Sequence, residues 1–297
     1  PQSYHLLPKM LDDLENNFKQ INTDFIVNEK FDYLSEQMRP QGVSSMVTIQ
    51  EGCDKFCSFC VVPYTRGPEY SRSIKSISDE VKLLSQKGAK EIVFLGQNVN
   101  AYNDKSNNND AKLSDLIRAI SEFDSVKRIR YTTSHPINMD EELIQEHKNN
   151  MKLMPFLHLP VQSGSESILK KMNRKYDPDF YRRTIDRLKK AKPDIEISSD
   201  FIVGYPGETD QDFNDTLKLI DDIEFTQSYS FIYSSRPGTK SSTEADSTPI
   251  SVKKERLLVL QEKLKKIQYS FNNEFCNKTV KVLIENQSSS NPEYFFG

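Results

Sequence analysis

At 297 residues, with 36% hydrophobic and 28% charged side chains, the chain can bury one large core or two ordinary ones and reads as a soluble globular protein. No apolar run approaches the roughly 20 residues that a membrane-spanning helix needs, so no membrane partner is expected. A net charge of −3 excludes a global basic footprint, and any nucleic-acid contact has to be local.

The first residues show neither an initiator methionine nor the basic-then-apolar layout of an export signal, so a reducing cytoplasm is the expected compartment. Residues 1–41 hold a helical stretch, 6–17, and then a polar connection. From residue 42 onward, short β-branched or aromatic runs alternate with helical patterns, which predicts repeated βα units on a parallel sheet. Six strands are expected, at 43–49, 91–95, 127–133, 154–160, 196–203 and 227–233, each apolar as in a sheet covered by helices.

Between them, Ser78-Asp79-Glu80 is expected to open a helix that Gly88 closes, and Thr209 with Asp212 is expected to start another. The polar tract 103–110 reads as a solvated loop. A charged helix is expected over 252–273 and a new alternating strand over 278–285. Right-handed crossovers curl six such units into an α/β open (β/α)6 partial TIM barrel. A doubly wound sheet is the alternative that periodicity leaves open. The expected domains are 1–41, 42–273 and 274–297.

Three of the four cysteines, Cys53, Cys57 and Cys60, fall within eight residues directly after the first strand, where active-site loops collect in parallel βα architectures. That is a poor layout for a disulfide framework and a good one for metal. Three thiolates can bind three irons of a [4Fe–4S] cubane and leave the fourth open. The rival is a closed zinc site, which needs a fourth ligand that only folding can supply, from Cys276 or His158. Otherwise Cys276 reads as a packing residue or a spare thiol.

The Cys-x3-Cys-x2-Cys spacing, with Phe59 before the last cysteine, resembles the radical S-adenosylmethionine superfamily. The flanking run from Glu51-Gly52-Cys53 through Arg66-Gly67-Pro68-Glu69 to Arg72 resembles its methylthiotransferase branch. Matching blocks follow at 95–102, 133–136, 158–165 and 200–209, so the resemblance spans nearly the whole chain. Within the branch, Arg66-Gly67-Pro68-Glu69 and Gly96-Gln97-Asn98-Val99-Asn100 resemble members that methylthiolate N6-isopentenyl- or dimethylallyl-adenosine 37 of tRNA.

The resemblance implies a [4Fe–4S] cluster on Cys53, Cys57 and Cys60, and S-adenosylmethionine bound to its open iron and cleaved to a 5′-deoxyadenosyl radical. It further implies a tRNA anticodon loop as partner, a flavodoxin or ferredoxin as electron donor, and no catalytic side chain beyond the cluster ligands. A second, sulfur-donating cluster is expected in the family's N-terminal domain, whose ligands are absent here, and 278–297 resembles the opening of an RNA-binding domain. A threonylcarbamoyl-adenosine tRNA or a ribosomal protein is the alternative substrate. An RNA-binding module stabilised by zinc is the alternative of another class.

The expected cofactor contacts are Phe59, Gly96, Gln97, Asn98, Ser134, Gln162, Ser163, Asp200, Gly204 and Glu208. Phe59 reads equally as an adenine-packing ring or a core filler. Gly96-Gln97-Asn98 follows the second strand, where glycine permits close approach and the amides offer donors and acceptors. Ser134 and Gln162-Ser163 follow the third and fourth strands. Asp200 and the Gly204-to-Glu208 turn belong to the fifth, a plain tight turn being the competing view. Arg236-Pro237-Gly238 ends the sixth. His135 shares this rim, and His158 is expected buried and hydrogen-bonded within its strand. For RNA, the basic set is Lys170, Lys171, Arg174, Lys175, Arg182, Arg183 and Arg187, against a bland reading as solvated helix faces.

Overall fold

A computed structural model describes residues 6–16, 21, 42–106 and 110–297. The chain divides into two units, Pro1–Gln41 and Gly42–Gly297. In the first, helix Leu7–Glu15 occupies most of the expected helical stretch. The polar connection expected after it lies outside the described residues, residue 21 excepted.

In the second unit, six strands carry the fold: β1 (Ser44–Thr48), β2 (Glu91–Leu95), β3 (Arg128–Tyr131), β4 (Phe156–His158), β5 (Glu196–Val203) and β6 (Gln227–Ile232). Helices α1 (Ile74–Gln86), α2 (Leu113–Ser121), α3 (Glu141–Asn149), α4 (Pro178–Ala191) and α5 (Asp210–Ile223) join consecutive strands, and α6 (Ile250–Asn273) follows the last. β1, β2 and β3 pair in parallel in that order, as do β4, β5 and β6. A parallel bridge between Ile129 and Leu153 joins the two halves. Every strand therefore neighbours its successor, with none of the order reversal of a doubly wound sheet, and no described pairing joins β1 to β6. The sheet is an open six-stranded partial barrel.

Alternation divides its faces. Val47, Ile92, Phe94, Ile129, Leu157, Ile197 and Phe201 pack outward with Ile77, Val81, Leu116, Leu188 and Leu219 of the helices to form the main core. Burying each such side chain contributes about 1.5–3 kcal/mol. The other face carries the polar and ionisable groups among apolar ones: Glu91 pairs with Arg130 at 3.1 Å, His158 lies 3.5 Å from Asp200, and the apolar Met46 is 67% exposed.

Several boundaries differ from expectation. β4 is limited to three residues because Pro155 and Pro160 flank it and cannot donate to a ladder. α1 begins four residues before Ser78, at Ile74, capped by Ser73, whose hydroxyl accepts from Ser76 N. Gly88, at φ +106°, follows its C-cap as expected, and Thr209 and Asp212 form the expected capping box of α5. The tract 103–110 is not simply loop: Asn103–Asp104 pairs with Ala111–Lys112, and buried Asp104 accepts from Ile74 N, while 107–109 lie outside the described residues. Residues 278–285 form no strand. A short antiparallel pair, Asn286–Gln287 with Phe295–Phe296, follows instead.

Candidate active site

The cysteine loop leaves β1 through Gln50–Glu51, which pairs with Tyr70–Ser71, and ends at the helix Val62–Arg66. Cys60 N donates to Cys57 O at 2.9 Å and Cys53 N to Gly67 O at 3.2 Å. All three thiols are partly buried. Burial pushes Cys53 up to about 11, with Glu69 and the other two sulfurs adding to the rise, and burial likewise raises Cys60. A buried anion is costly, so Cys53 and Cys60 favour the thiol until a metal displaces their protons.

Two braces hold the loop. On the Cys53 side, the Gln50 side chain accepts from Gln97 N (2.9 Å) and Asn98 N (3.0 Å) and donates to Gly52 O (2.8 Å). Gln97 Oε1 accepts from Gly52 N at 2.7 Å, while Glu69 accepts from Asn98 Nδ2 at 2.8 Å and exchanges bonds with Asp54. A Cβ on Gly52 would lie 1.9 Å from Pro68 O, and one on Gly96 would lie 2.6 Å from Gln50 Oε1. The two glycine-containing blocks are thus packed backbone to backbone.

On the Cys57 side the brace is the loop between helix Glu166–Lys171 and α4. Ser58 donates its N–H to Met172 O and its hydroxyl to Lys171 O. Asn173 Nδ2 donates to Phe56 O at 2.9 Å. Arg174, only 4% exposed, points inward: Nη1 reaches Cys57 Sγ at 3.5 Å, Nη2 donates to Pro160 O at 2.5 Å and Nε to Tyr176 Oη at 2.9 Å. Burial opposes its charge, but the Tyr176 oxygen and Cys57 sulfur hold the guanidinium protonated above its ordinary value. The Tyr176 hydroxyl donates to Val161 O at 3.0 Å, and its ring meets that of His135 edge-on at 5.6 Å. Burial keeps His135 neutral, depressed to about 2, aided by Arg174 and Lys55.

Backbone strain collects here as well. Phe56, Thr133, Gln162, Asn173 and Lys175, all with positive φ, lie in loops at this end of the barrel, where such conformations persist only if their surroundings over-determine them.

The expected cofactor contacts separate into two groups. Asn98 and Ser134 each present a buried oxygen, Oδ1 and Oγ, without a hydrogen-bond partner among the described residues, which leaves each free to accept or share a bond with water or a ligand. Gln162, also buried, bridges by backbone to Phe201, and Asp200 stands half-buried on the polar face. The rest make contacts within the protein. Phe59 packs with Ile168, Met172, Tyr205 and Tyr233, so it fills a satellite core. Ser163 is fully buried against Thr216 at 3.3 Å. Gly96 and Gln97 serve the Gln50 brace. Gly204, at φ +67°, donates to Glu208, whose 1%-exposed carboxylate pairs with Arg256 of α6 at 2.8 Å. That turn is tied to α6 through Glu208 Oε2, which accepts from both Gly204 N and Arg256 Nη1.

Other expectations shift too. His158 Nδ1 bonds Ser198 Oγ at 2.9 Å and its ring meets Tyr229, so it faces the polar side of the sheet. Arg174 leaves the basic set, since it is buried at the cysteines. Arg182 pairs with Asp179 and Asp222, and Arg187 with Glu141. Gln50, Glu69, Asn173, Arg174 and Tyr176 are the site residues that sequence reasoning missed. The signal was there in Asn173-Arg174-Lys175, where a residue tolerant of left-handed backbone interrupts a helical pattern.

The sequence signature of the Radical SAM superfamily matches residues 47–220. The chain belongs to that superfamily. Two solved radical SAM structures share the fold: the methyltransferase TsrM of Kitasatospora setae (TM-score 0.54, 18% identity, 68% of this chain and 39% of that one) and coproporphyrinogen III oxidase of Escherichia coli (0.55, 18%, 79% and 55%). In sequence, the chain is 52% identical to the tRNA-2-methylthio-N(6)-dimethylallyladenosine synthase of Rickettsia bellii (strain RML369-C) and 51% to that of Rickettsia canadensis. Each match covers 96% of this chain and 64% of the relative, so the chain spans a little under two thirds of their length.

The radical SAM cofactors, a [4Fe–4S] cluster and S-adenosylmethionine, suit the residues present. Three thiols share one short braced loop and influence one another electrostatically. A cubane holds its three thiolates at separate corners and leaves its fourth iron open, which suits three cysteines spread along one loop. The unpartnered oxygens of Asn98 and Ser134 suit a polar cofactor beside it. No described helix is long and apolar enough to cross a membrane.

Proposed function

We propose that the chain is the radical SAM core of a tRNA methylthiotransferase that converts N6-isopentenyl(dimethylallyl)adenosine 37 of the anticodon loop to its 2-methylthio derivative. The observation that carries this reading is the 52% identity to the dimethylallyladenosine synthase across 96% of the chain. The cluster, when bound, supplies the electron that cleaves the sulfonium carbon–sulfur bond of S-adenosylmethionine. Cys53, Cys57 and Cys60 hold it, the two braces fix their spacing, and Asn98 and Ser134 contact the cofactor. The polar face, with Arg130, His158, Asp200 and Tyr229, receives the adenosine. A base in an anticodon loop reaches such a face without breaking a duplex. A flavodoxin- or ferredoxin-like donor reduces the cluster, in the cytoplasm.

The test is mass spectrometry of nucleosides from tRNA of a strain lacking the gene. The 2-methylthio group should vanish from isopentenyl-adenosine and persist on threonylcarbamoyl-adenosine. Its persistence on the first nucleoside, or loss only from the second, overturns the proposed substrate.

A further inference from the structure

Arg174 is a buried cation in contact with the sulfur of Cys57, one of the three cluster ligands. Its guanidinium is anchored by Pro160 O at 2.5 Å and Tyr176 Oη at 2.9 Å, stands 5.2 Å from the Tyr176 ring centre and leaves Nη1 for Cys57 Sγ at 3.5 Å. Asn173 and Lys175, at φ +60° and +59°, place it between two left-handed residues, a strained arrangement that turns the side chain inward. Taking a guanidinium out of water costs several kcal/mol, and two neutral acceptors do not offset that as a nearby anion does. A thiol is a weak acceptor. A thiolate carrying cluster charge is the partner that makes the burial favourable.

We propose that Arg174 is a positioning and tuning residue for the cluster: it holds the Cys57 thiolate and, as a fixed positive charge at that corner, raises the cluster's reduction potential. The inference rests on the reading that Cys53, Cys57 and Cys60 carry the cluster. The couple it tunes takes up one electron from an external reductant, and Arg174 itself exchanges neither electron nor proton. Hydrogen bonds and charge at ligand sulfurs are the protein's levers on such potentials. A cation favours the reduced state because that state carries one more negative charge.

The experiment is anaerobic reconstitution of the full chain with iron and sulfide, followed by iron counting, a dithionite-mediated potentiometric titration and electron paramagnetic resonance of the reduced cluster. Arg174→Gln should load iron but show a reduced-to-oxidised ratio about tenfold lower at the wild-type midpoint, a fall of about 59 mV for a one-electron couple, with altered resonance g values. Arg174→Lys keeps the charge but cannot span Pro160, Tyr176 and Cys57 at once. It should fall between the two. If Arg174→Gln does not fold, the lysine variant decides alone. A midpoint and spectrum identical to wild type in whichever variant loads overturn the proposal. A wild-type chain that takes up no iron overturns the cluster reading instead.

Discussion

The two flanks of the cysteine loop are built from different materials. Beside Cys53 the brace is a lattice of amide and backbone hydrogen bonds around Gln50, Gln97 and Asn98, edged by the Glu69 carboxylate. Beside Cys57 it is a strained loop that delivers a buried guanidinium. The first flank fixes shape through many amide and backbone contacts and carries a carboxylate, Glu69; the second adds a buried positive charge. A cofactor that binds at one side of such a loop therefore meets an electrostatic gradient as well as a frame.

The sharpest way to break the first flank is Gly52→Ala. Its φ of +78° and a Cβ 1.9 Å from Pro68 O leave no room for a methyl group. Left-handed strain and overpacking together should cost about 4 kcal/mol. We expect a fall of that size in urea unfolding of the apo chain, together with loss of iron loading. Unchanged loading would show that the Cys53 flank tolerates a shift and is no frame.

A pH titration sets the frame apart from the fold beneath it. His147 lies behind the sheet, its Nε2 2.6 Å from the Tyr131 hydroxyl, and burial depresses it from its ordinary 6.5 to about 4. The unfolded chain therefore takes up a proton between pH 6.5 and 4 that the folded chain refuses. Stability is full above pH 6.5 and declines as pH falls through that window, by roughly 3 kcal/mol in all from this residue. His135, shifted the same way, adds to the decline. In His147→Gln the slope of unfolding free energy against pH should flatten by one proton, about 1.4 kcal/mol per pH unit. An unaltered slope would place the proton uptake elsewhere.

The legibility of this molecule follows the same division. The six strands were readable because apolar runs and turn signals are local, and the cysteine spacing is local too, whereas strand order, which separates a partial barrel from a doubly wound sheet, is set by pairings distant in sequence. The fates of Glu208, Ser163 and Phe59 were not readable either. Each is decided by a partner distant in sequence: Arg256 on α6, Thr216 on α5, and the satellite cluster with Tyr233. Arg174 shows the limit most clearly. In sequence it stands among lysines and arginines as one more surface cation, and only the left-handed backbone of its two neighbours turns it inward.

The smallest effect tests that backbone directly. Asn173 contributes twice: its side chain donates to Phe56 O, and it tolerates φ +60° better than most residues. In Asn173→Gly the lost hydrogen bond, about 1 kcal/mol, and the added chain entropy of glycine, about 0.5–1 kcal/mol, are offset by the relief of left-handed strain, about 1–2 kcal/mol, and the apo chain should unfold within about 0.5 kcal/mol of wild type. In Asn173→Ala the bond is lost and the strain grows, so that variant should be less stable than the glycine variant by about 1 kcal/mol in the same urea titration. Equal stabilities for the two would mean that the loop relaxes out of the left-handed region, and that the strain next to Arg174 does not aim it.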